Sequence, residues 1–181
     1  MKLMVASDIH GSGLFCEKLI EAYNAEQPDK LVLLGDLLYH GPRNDIPGGY
    51  DTRKVAAMLN GIKESIICVR GNCDSEVDQM VLDFPIMADY ALLYVGGKTV
   101  FATHGHLFND DNPPKMAGNF ILLCGHTHVP DCDDHGSFLY VNPGSVSIPK
   151  LNSDRGYIVM TENEIIWKTI GGTAYKKVDL K

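Results

Sequence analysis

The residues of this sequence that could do chemistry fall into five short polar clusters, and each cluster contains a glycine. They are Ser7-Asp8-Ile9-His10-Gly11, Gly35-Asp36, Gly71-Asn72-Cys73-Asp74, Thr103-His104-Gly105-His106 and Gly125-His126-Thr127-His128. A glycine has no Cβ, so it permits sharp turns and lets the backbone approach a bound ion or phosphate closely. The clusters therefore have the composition of a site that binds ions or phosphate.

The side chains in these clusters include two carboxylates, one amide oxygen and four imidazoles. We predict that all seven bind metal: Asp8, His10, Asp36, Asn72, His104, His126 and His128. A mixed oxygen and nitrogen set suits manganese, iron, zinc, cobalt or nickel better than calcium, and manganese is our first choice. Because seven ligands exceed the needs of one ion, we predict two divalent cations about 3.5 to 4 Å apart that share a bridging carboxylate. Asp36 is the predicted bridge because it lies between the other clusters in sequence.

The elements that position these clusters are predicted strands. Apolar strand-like runs at residues 2–7, 31–34 and 65–69 alternate with helical patterns at 14–24 and 52–62. Hairpin patterns follow, with Gly96-Gly97 between 92–95 and 99–103, and Glu162-Asn163 between 157–161 and 164–170. Each polar cluster follows a strand, and ligands in such sheets collect beyond the carboxyl ends of strands. Five strand ends are therefore expected to converge on one site.

The order of elements predicts a pair of mixed sheets with helices on the outer faces. The chain has 181 residues, of which 45% are hydrophobic and 22% charged. That size fits one domain over residues 1–181, and we see no repeat or linker that would divide it. A polar turn is predicted between Val129 and Phe138, and it accounts for His135 without a further metal site.

Charge and composition restrict the partners and the location. A formal net charge of −7 argues against a nucleic-acid polymer, which would need a basic face. It does not argue against a phosphate substrate, because bound cations reverse the local field. No apolar run reaches the ~18 residues that a membrane span requires, so no membrane partner is expected, and the first residues read as a strand. The five cysteines have no C-x-x-C spacing, which favours reduced thiols and a cytoplasmic protein.

The ordered motifs Asp8-x-His10, Gly35-Asp36, Gly71-Asn72, His104 and Gly125-His126-x-His128 resemble those of the calcineurin-like metallophosphoesterases. More narrowly, residues 36–44, 70–78, 103–108 and 142–150 are similar to the YfcE-type bacterial phosphodiesterases. The resemblance implies an α/β (α+β) fold, a four-layer αββα sandwich of two mixed β-sheets flanked by helices. It also implies an enzyme that hydrolyses small phosphodiesters, with a homo-oligomer as an open possibility.

The resemblance further implies how the ligands divide. Asp8, His10, Asp36 and His128 would bind one metal, and Asp36, Asn72, His104 and His126 the other. A hydroxide that bridges the metals would attack phosphorus, and the ions would lower the pKa of that water and neutralise the charge on the transferring group. Asn72 and His104 are therefore catalytic candidates as well as ligands, and Cys73 and Asp74 beside Asn72 are the two further catalytic candidates.

Cys73 departs from the pattern of the wider family, in which many members have a histidine after Gly-Asn. A thiol is a weak hydrogen-bond donor and a poorer source of a proton for the leaving alkoxide. The YfcE-type enzymes share this cysteine, which points to phosphodiesters with good leaving groups. His40 could supply the missing proton. Asp74 either positions the site or, with Glu76 and Asp78, belongs to a helix start.

Three further residues are candidate substrate contacts. His40 and Arg43 lie in the irregular loop after Asp36, and Arg43 can present a bidentate fork to phosphate oxygens. The alternative is that both are solvated loop residues. His106 follows His104 by two and is either a substrate contact or a bystander. Residues 142–150 could close the other side of the cleft or form an ordinary turn.

Other functions compete with phosphodiester hydrolysis. The retromer subunit of the same fold indicates that such a domain can be a metal-binding scaffold for protein assembly. A complete ligand set argues against that alternative. The one feature that favours it is Cys73, which stands where many members of the family have a histidine. A phosphomonoesterase stays open within the enzyme class. A nuclease acting on polymers is disfavoured by the acidic balance and by the absence of a basic stripe interleaved with aromatic residues.

Overall fold

A computed structural model describes residues 1–180, and its strands form two mixed β-sheets. The strands are β1 (Leu3–Ala6), β2 (Lys30–Leu33), β3 (Ile66–Cys68), β4 (Tyr90–Val95), β5 (Lys98–Thr103), β6 (Phe120–Leu123), β7 (Pro130–Asp134), β8 (Phe138–Pro143), β9 (Gly156–Met160), β10 (Glu164–Thr169) and β11 (Ala174–Asp179). The helices are α1 (Gly13–Glu26), α2 (Thr52–Asn60) and α3 (Glu76–Gln79), with a 3-10 turn at Lys63–Ser65. The predicted domain also includes Lys181, which lies outside the described residues.

The first sheet has six strands in the order β11-β10-β9-β1-β2-β3, and the second has five in the order β4-β5-β6-β8-β7. β1, β2 and β3 are parallel, as are β5, β6 and β8. The remaining strands, β9, β10 and β11 in the first sheet and β4 and β7 in the second, pair antiparallel with their neighbours. The carboxyl ends of the parallel strands therefore lie along one edge of the sandwich. The predicted fold class is confirmed.

The two long helices begin and end where their sequences indicate. The Ser12 hydroxyl accepts a hydrogen bond from the Phe15 N–H and begins α1, and α1 ends at Gln27, whose φ of 49° is left-handed. The Asp51 carboxylate accepts from the Lys54 N–H and begins α2. The predicted helices at 14–24 and 52–62 thus exist, with limits shifted by one or two residues.

Alternation along the strands divides the core into layers. Leu3 and Val5 of β1 point between the two sheets, where they meet Val100 of β5 from the second sheet and the fully buried Trp167 of β10 from the first. Met4 of β1 faces the opposite way, into the layer formed by α1 and α2. Most of β1 is therefore buried on both faces, which fits the continuous apolar run in its sequence.

The outer face of the second sheet is covered by the irregular segment 104–119 rather than by a helix. Phe108 and Met116 of this segment pack against Phe101, Phe120 and Phe138. Aromatic contact area replaces the helical layer, because a loop can cover an apolar sheet face when its own large side chains point inward.

The polar turn predicted between Val129 and Phe138 is wrong over most of its length. Residues Pro130–Asp134 form β7, which pairs with β8, and the turn is confined to residues 135–137 between the two strands. β11 was also not predicted. Both are edge strands with exposed polar side chains, so neither carries the apolar alternation that marks a half-buried strand. His135 stacks on Phe138, with ring centroids 4.5 Å apart.

None of the helices in residues 1–180 combines the length with the apolar character that crossing a bilayer requires.

Candidate metal centre

The five polar clusters meet at the carboxyl edge of the parallel strands. Asp8 and His10 follow β1, Asp36 follows β2, Asn72 follows β3, His104 follows β5, and His126 and His128 follow β6. One Asp36 oxygen, Oδ2, lies 3.7 Å from His10 Nε2 and 3.5 Å from His104 Nε2. The structure thus brings the candidate ligands together although they are spread over more than a hundred residues of chain.

The backbone at this edge is held in an unusual conformation. Positive φ angles between 49° and 66° occur at Asp8, His10, Asp36, His126 and His128. Left-handed geometry strains non-glycine residues, and it persists where the surroundings over-determine it. Here the Asp8 N–H donates to the Gly35 carbonyl at 3.1 Å and the His10 N–H donates to the Asp36 carbonyl at 2.9 Å. Backbone hydrogen bonds between the loop after β1 and the loop after β2 therefore fix the segments that present the ligands.

Two glycines allow the loops to approach one another. A Cβ added at Gly71 would lie 2.1 Å from Asp36 Oδ1, and one added at Gly125 would lie 1.9 Å from the Ser7 hydroxyl oxygen. Neither position has room for a larger residue. The glycines beside the ligands are thus required by the close packing of the loops that carry Asp8, Asp36 and Asn72.

Backbone carbonyls set the tautomers of three candidate ligand histidines. The Nδ1 atoms of His10, His104 and His128 lie 2.8, 2.7 and 2.6 Å from the carbonyl oxygens of Tyr39, Leu34 and Ile148. Each Nδ1 must carry a proton to donate to its carbonyl, so in the neutral ring the lone pair is on Nε2. All three Nε2 atoms face the centre. His126 is turned the other way, with Nδ1 lying 3.2 Å from His104 Nε2.

This donor set fits a cation. The Nε2 atoms of His10 and His128 are 3.1 Å apart, and in neutral rings both are acceptors. Asp8 Oδ1 is buried, finds no hydrogen-bond donor among residues 1–180, and lies 3.3 Å from His128 Nε2. Lone pairs that face each other in a buried site repel unless a proton or a metal ion lies between them. The residues present are therefore those that a divalent cation requires.

The charges of the site are strongly coupled. Burial would raise the pKa values of Asp8 and Asp36, but neighbouring imidazoles outweigh it and hold both below the usual range. Burial would lower the pKa of His104, but the hydrogen bond and charge of Asp36, with the charge of Asp8, raise it to about 9. Burial, followed by the nearby charge of His104, lowers the pKa of His126 to about 4. Without metal, a proton on His104 partly offsets the two carboxylates.

The candidate ligand atoms form overlapping groups rather than one ring. Asp8, His10 and His128 offer atoms within 4.8 Å of one another, and so do Asp8, Asp36 and His104. Asn72 Oδ1 adds to the second group at 3.0 Å from His104 Nε2. Asp36 also forms a group with His10 and Cys73. Asp8 is therefore common to the first two groups, and Asp36 connects the second group to His10 of the first.

Asp74 does not face the site, and the interpretation of it as a helix-start residue is wrong. Its Oδ2 accepts hydrogen bonds from the N–H groups of Asp36 and Gly71 at 2.8 and 2.7 Å, and its Oδ1 accepts from the Leu37 N–H at 2.9 Å. It joins the loops after β2 and β3 from behind, so it positions the candidate ligands rather than touching substrate. The helix start instead uses a capping box between Ser75 and Asp78.

Cys73 and Arg43 line the pocket over the candidate ligands, which has a volume of about 380 Å³ and also includes His126 and Lys150 in its wall. The Cys73 N–H donates to Asp36 Oδ1 at 2.8 Å. Burial, followed by the charge of Asp36, raises the pKa of the Cys73 thiol to about 12, so it stays protonated at neutral pH.

His40 and His106 lie beside this pocket. The His40 ring meets the rings of Tyr39 and Tyr50 edge-on, with centroids 4.8 and 5.4 Å away. The His106 ring lies 5.3 Å from that of His104, and burial lowers its pKa. Neither ring is part of the pocket wall, and the roles of His40 and His106 as substrate contacts stay predictions.

Residues that the sequence did not single out individually hold the centre from the side of 142–150. The hydroxyls of Ser145 and Ser147 both donate to the Asp8 carbonyl, at 2.8 and 3.0 Å, and the Ile148 carbonyl accepts from His128. Lys150 completes the pocket wall. The segment 142–150 therefore supports the loops that carry Asp8 and His128, and it is more than an ordinary turn. Its only signal in sequence was the motif similarity of Asn142-Pro-Gly-Ser and the residues after it.

The chain matches a known family over most of its length. Residues 1–164 match the model of the calcineurin-like phosphoesterase superfamily domain. The chain belongs to this superfamily. It is therefore a hydrolase of phosphoric esters of the metallophosphoesterase type, and both the predicted family and the predicted enzyme class are confirmed.

Relatives of known identity agree with this assignment. The phosphodiesterase YfcE of Escherichia coli K12 is 48% identical over 166 residues, which cover 92% of this chain and 90% of that protein. A solved structure of E. coli YfcE, described as a phosphoesterase, superposes with a TM-score of 0.96 and 42% identity over the whole of both chains. Vacuolar Protein Sorting 29 of Cryptosporidium parvum has a TM-score of 0.64 and 15% identity, covering 99% of this chain and 97% of that one, and shares the fold alone.

Proposed function

We propose that this metallophosphoesterase hydrolyses small phosphodiesters at a dinuclear metal centre. The observation that carries the proposal is the position of Asp36, 3.5 to 3.7 Å from histidine nitrogens of both ligand groups. In this proposal Asp8, His10, Asp36 and His128 hold one ion, and Asp36, Asn72, His104 and His126 hold the other. When bound, the ions supply an activated water nucleophile and offset the charge on the transferring phosphoryl group.

The chain's own residues orient the ester. Arg43 and Lys150 are the cationic side chains of the pocket wall, and both can pair with phosphate oxygens or with a developing leaving-group charge. The Asn72 amide nitrogen donates to Cys73 Sγ at 3.2 Å, which leaves the amide oxygen directed to His104. Asp74 accepts hydrogen bonds from the N–H groups of Asp36 and Gly71 and so holds their two loops together.

The preference for diesters rests on two features. Cys73 occupies the position where a stronger proton donor would serve alkyl phosphomonoesters, and its thiol is a weak hydrogen-bond donor. The relative at 48% identity is a phosphodiesterase. Leaving groups that depart without a proton suit such a site, so aryl diesters are the expected model substrates.

The proposal is tested with metal-stripped protein assayed on bis(p-nitrophenyl) phosphate and on p-nitrophenyl phosphate. Manganese is added back, followed by zinc, iron, cobalt and nickel in parallel. We expect diester hydrolysis that requires metal and that exceeds monoester hydrolysis. Asp36→Asn is the matched variant, because asparagine tolerates the left-handed φ of 55° while removing the bridging charge. Activity of Asp36→Asn equal to the parent would contradict a bridging role.

The second candidate function is a metal-binding scaffold for protein assembly, and the fold shared with Vacuolar Protein Sorting 29 motivates it. The complete ligand set with oriented imidazoles favours catalysis instead. Stoichiometric metal binding without turnover of either ester would reverse that order. Five features remain predictions: manganese as the ion, a small substrate rather than a polymer, a possible homo-oligomer, a single domain and a cytoplasmic location. Metal analysis of purified protein would check the identity of the ion. Fractionation of cells would check the location.

A further inference from the structure

A second concavity adjoins the pocket over the candidate ligands. It has a volume of about 790 Å³ and lies between the loop after β2, helix α2 and helix α3. Its walls include Leu38, Tyr39, Tyr50, Arg53, Ala57 and Cys73. Cys73 belongs to both walls, so the groove opens onto the place where the phosphoryl group would lie. That volume is in the range of sites that bind small organic molecules.

The groove has an aromatic and apolar character that the metal pocket lacks. Tyr39 and Tyr50 are 43% and 37% exposed, although both are large rings beside a polar site. The His40 ring contacts both edge-on and so limits how either can turn. Exposed rings held in fixed orientations form a platform on which a flat group can stack, because stacking then costs little further ordering.

Arg53 gives the groove one free cation. Its guanidinium forms no ion pair with any residue from 1 to 180, and it lies on the first turn of α2. Asp78, the acidic residue of the wall, is already engaged with Ser75 in the capping box of α3. A ligand with an aromatic body and hydrogen-bond acceptors at its far end therefore matches both the rings and the guanidinium.

We infer that this groove binds the retained alcohol substituent of the phosphodiester, and that this substituent is an aromatic group of about nucleoside size. The inference rests on the proposed function and specifies its substrate. The leaving oxygen gains negative charge and is better placed near Arg43 and Lys150, in the wall of the metal pocket. The retained substituent undergoes no change of charge, so it suits the apolar groove, where only a weakly donating thiol lies at the junction.

The test compares two diesters that release the same p-nitrophenolate and differ only in the retained group: thymidine 5'-(p-nitrophenyl phosphate) and methyl p-nitrophenyl phosphate. For the parent protein with manganese we expect kcat/KM to be about tenfold or more higher for the thymidine ester, the order of one base stacked on an aromatic ring. Equal values would overturn the inference while leaving phosphodiesterase activity intact.

Variants locate the effect. Ala57→Trp fills the groove from the exposed face of α2 and should reduce the ratio of the two kcat/KM values to about one. Ala25→Trp makes the same change on an exposed face of α1 away from the groove and should leave the ratio unchanged. Tyr39→Ala should lower the ratio and Tyr39→Phe should keep it. A ratio that Ala57→Trp and Tyr39→Ala both leave at the parental value would contradict the inference, and would leave a protein partner as the occupant.

A binding measurement separates this inference from the proposed function. Calorimetric titration of manganese-loaded protein with thymidine 5'-phosphate and with methyl phosphate requires no turnover. We expect the nucleotide to bind about tenfold more tightly, and Ala57→Trp to remove the difference. This result without hydrolysis of any ester would support the groove and reject the enzyme. Equal affinities would reject the groove whatever the enzyme does.

Discussion

Proton occupancy of His104 couples the stability of the metal-free protein to pH. Its folded pKa of about 9 lies above the ordinary histidine value of 6.5. A raised pKa contributes stability that is fully present below pH 6.5 and is lost as pH rises towards 9. We therefore predict that metal-free protein loses up to about 3 kcal/mol of unfolding free energy across this range.

Urea denaturation of metal-free protein at several pH values between about 6 and 9 measures this effect. His104→Asn should flatten the profile, because the variant has no imidazole to protonate. Saturating manganese should reverse the trend, since metal binding expels the protons of its ligands and is favoured as pH rises. A profile of the parent as flat as that of His104→Asn would show that the proton does not reside there.

Asp74 stabilises the centre through the backbone N–H groups of Asp36, Leu37 and Gly71 and not through contact with ligand side chains. An asparagine at this position would present one donor where an acceptor is needed, so Asp74→Asn should cost about 1 to 3 kcal/mol of unfolding free energy. It should also weaken metal binding, because the loops after β2 and β3 lose their shared anchor. The exposed Asp45→Asn is the matched control for charge and should change neither. Calorimetric metal titration and thermal melts measure both effects, and unchanged metal affinity in Asp74→Asn would exclude the positioning role.

At the scale of elements, Glu26 fastens the end of α1 to the first sheet. Its carboxylate, only 11% exposed, pairs with Lys2 before β1 and Lys168 of β10, and accepts from the Tyr157 hydroxyl of β9 at 3.1 Å. Burial would raise the pKa of Glu26, but these three partners outweigh it and lower the pKa from 4.5. A depressed pKa contributes stability above pH 4.5 that is lost as pH falls through the folded value.

We therefore predict that Glu26→Gln costs about 1 to 2 kcal/mol at pH 7. The difference from the parent should shrink as pH falls below 4.5 and disappear below the lowered folded pKa. Chemical denaturation at about pH 7 and at about pH 4 or below measures the difference. Glu17, like Glu26, lies on α1, and Glu17→Gln breaks its exposed pair with Lys54 of α2. This variant is the control and should have little effect. A deficit of Glu26→Gln that persists unchanged in acid would mean that packing, not charge, explains it.

At the scale of the whole molecule, Trp167 joins the two sheets. The only tryptophan of the chain is fully buried in β10 of the first sheet, and its indole N–H donates to the Asn142 carbonyl of β8 in the second at 2.8 Å. Trp167→Phe leaves a cavity and an unsatisfied carbonyl, so we predict a loss of about 2 to 4 kcal/mol. Far-ultraviolet circular dichroism during urea denaturation measures it, since fluorescence is lost with the residue.

Tyr94→Phe, at a side chain that is 67% exposed on β4, provides the control and should change stability by less than about 0.5 kcal/mol. In the parent, tryptophan emission and circular dichroism should report the same transition, because Trp167 lies in the core shared by both sheets. Emission that shifts at lower urea than the dichroism would show that the sheets separate before they unfold.

The fold class, the candidate ligands and their association with strand ends were all predictable from the sequence alone. These features are local: a polar cluster follows an apolar run, and the runs of β1, β2, α1 and α2 are long or buried enough to leave a periodic pattern. The hairpins β4-β5 and β9-β10 were predicted for the same reason, since their turn residues are adjacent in sequence.

Features that depend on residues distant in the chain became visible only in the folded structure. The sequence left Asp74 open between a positioning role and a helix start, and its partners, the N–H groups of loops that folding brings to it, favour the positioning role. The same holds for the hydrogen bonds from Ser145 and Ser147 to the Asp8 carbonyl, which join residues far apart in the chain. It also holds for the groove between Tyr39, Tyr50 and α2, which no local sequence pattern predicts. A side chain's type is written in the sequence, whereas its partners exist only after distant strands pair, because hydrogen bonds and burial are set by proximity in space.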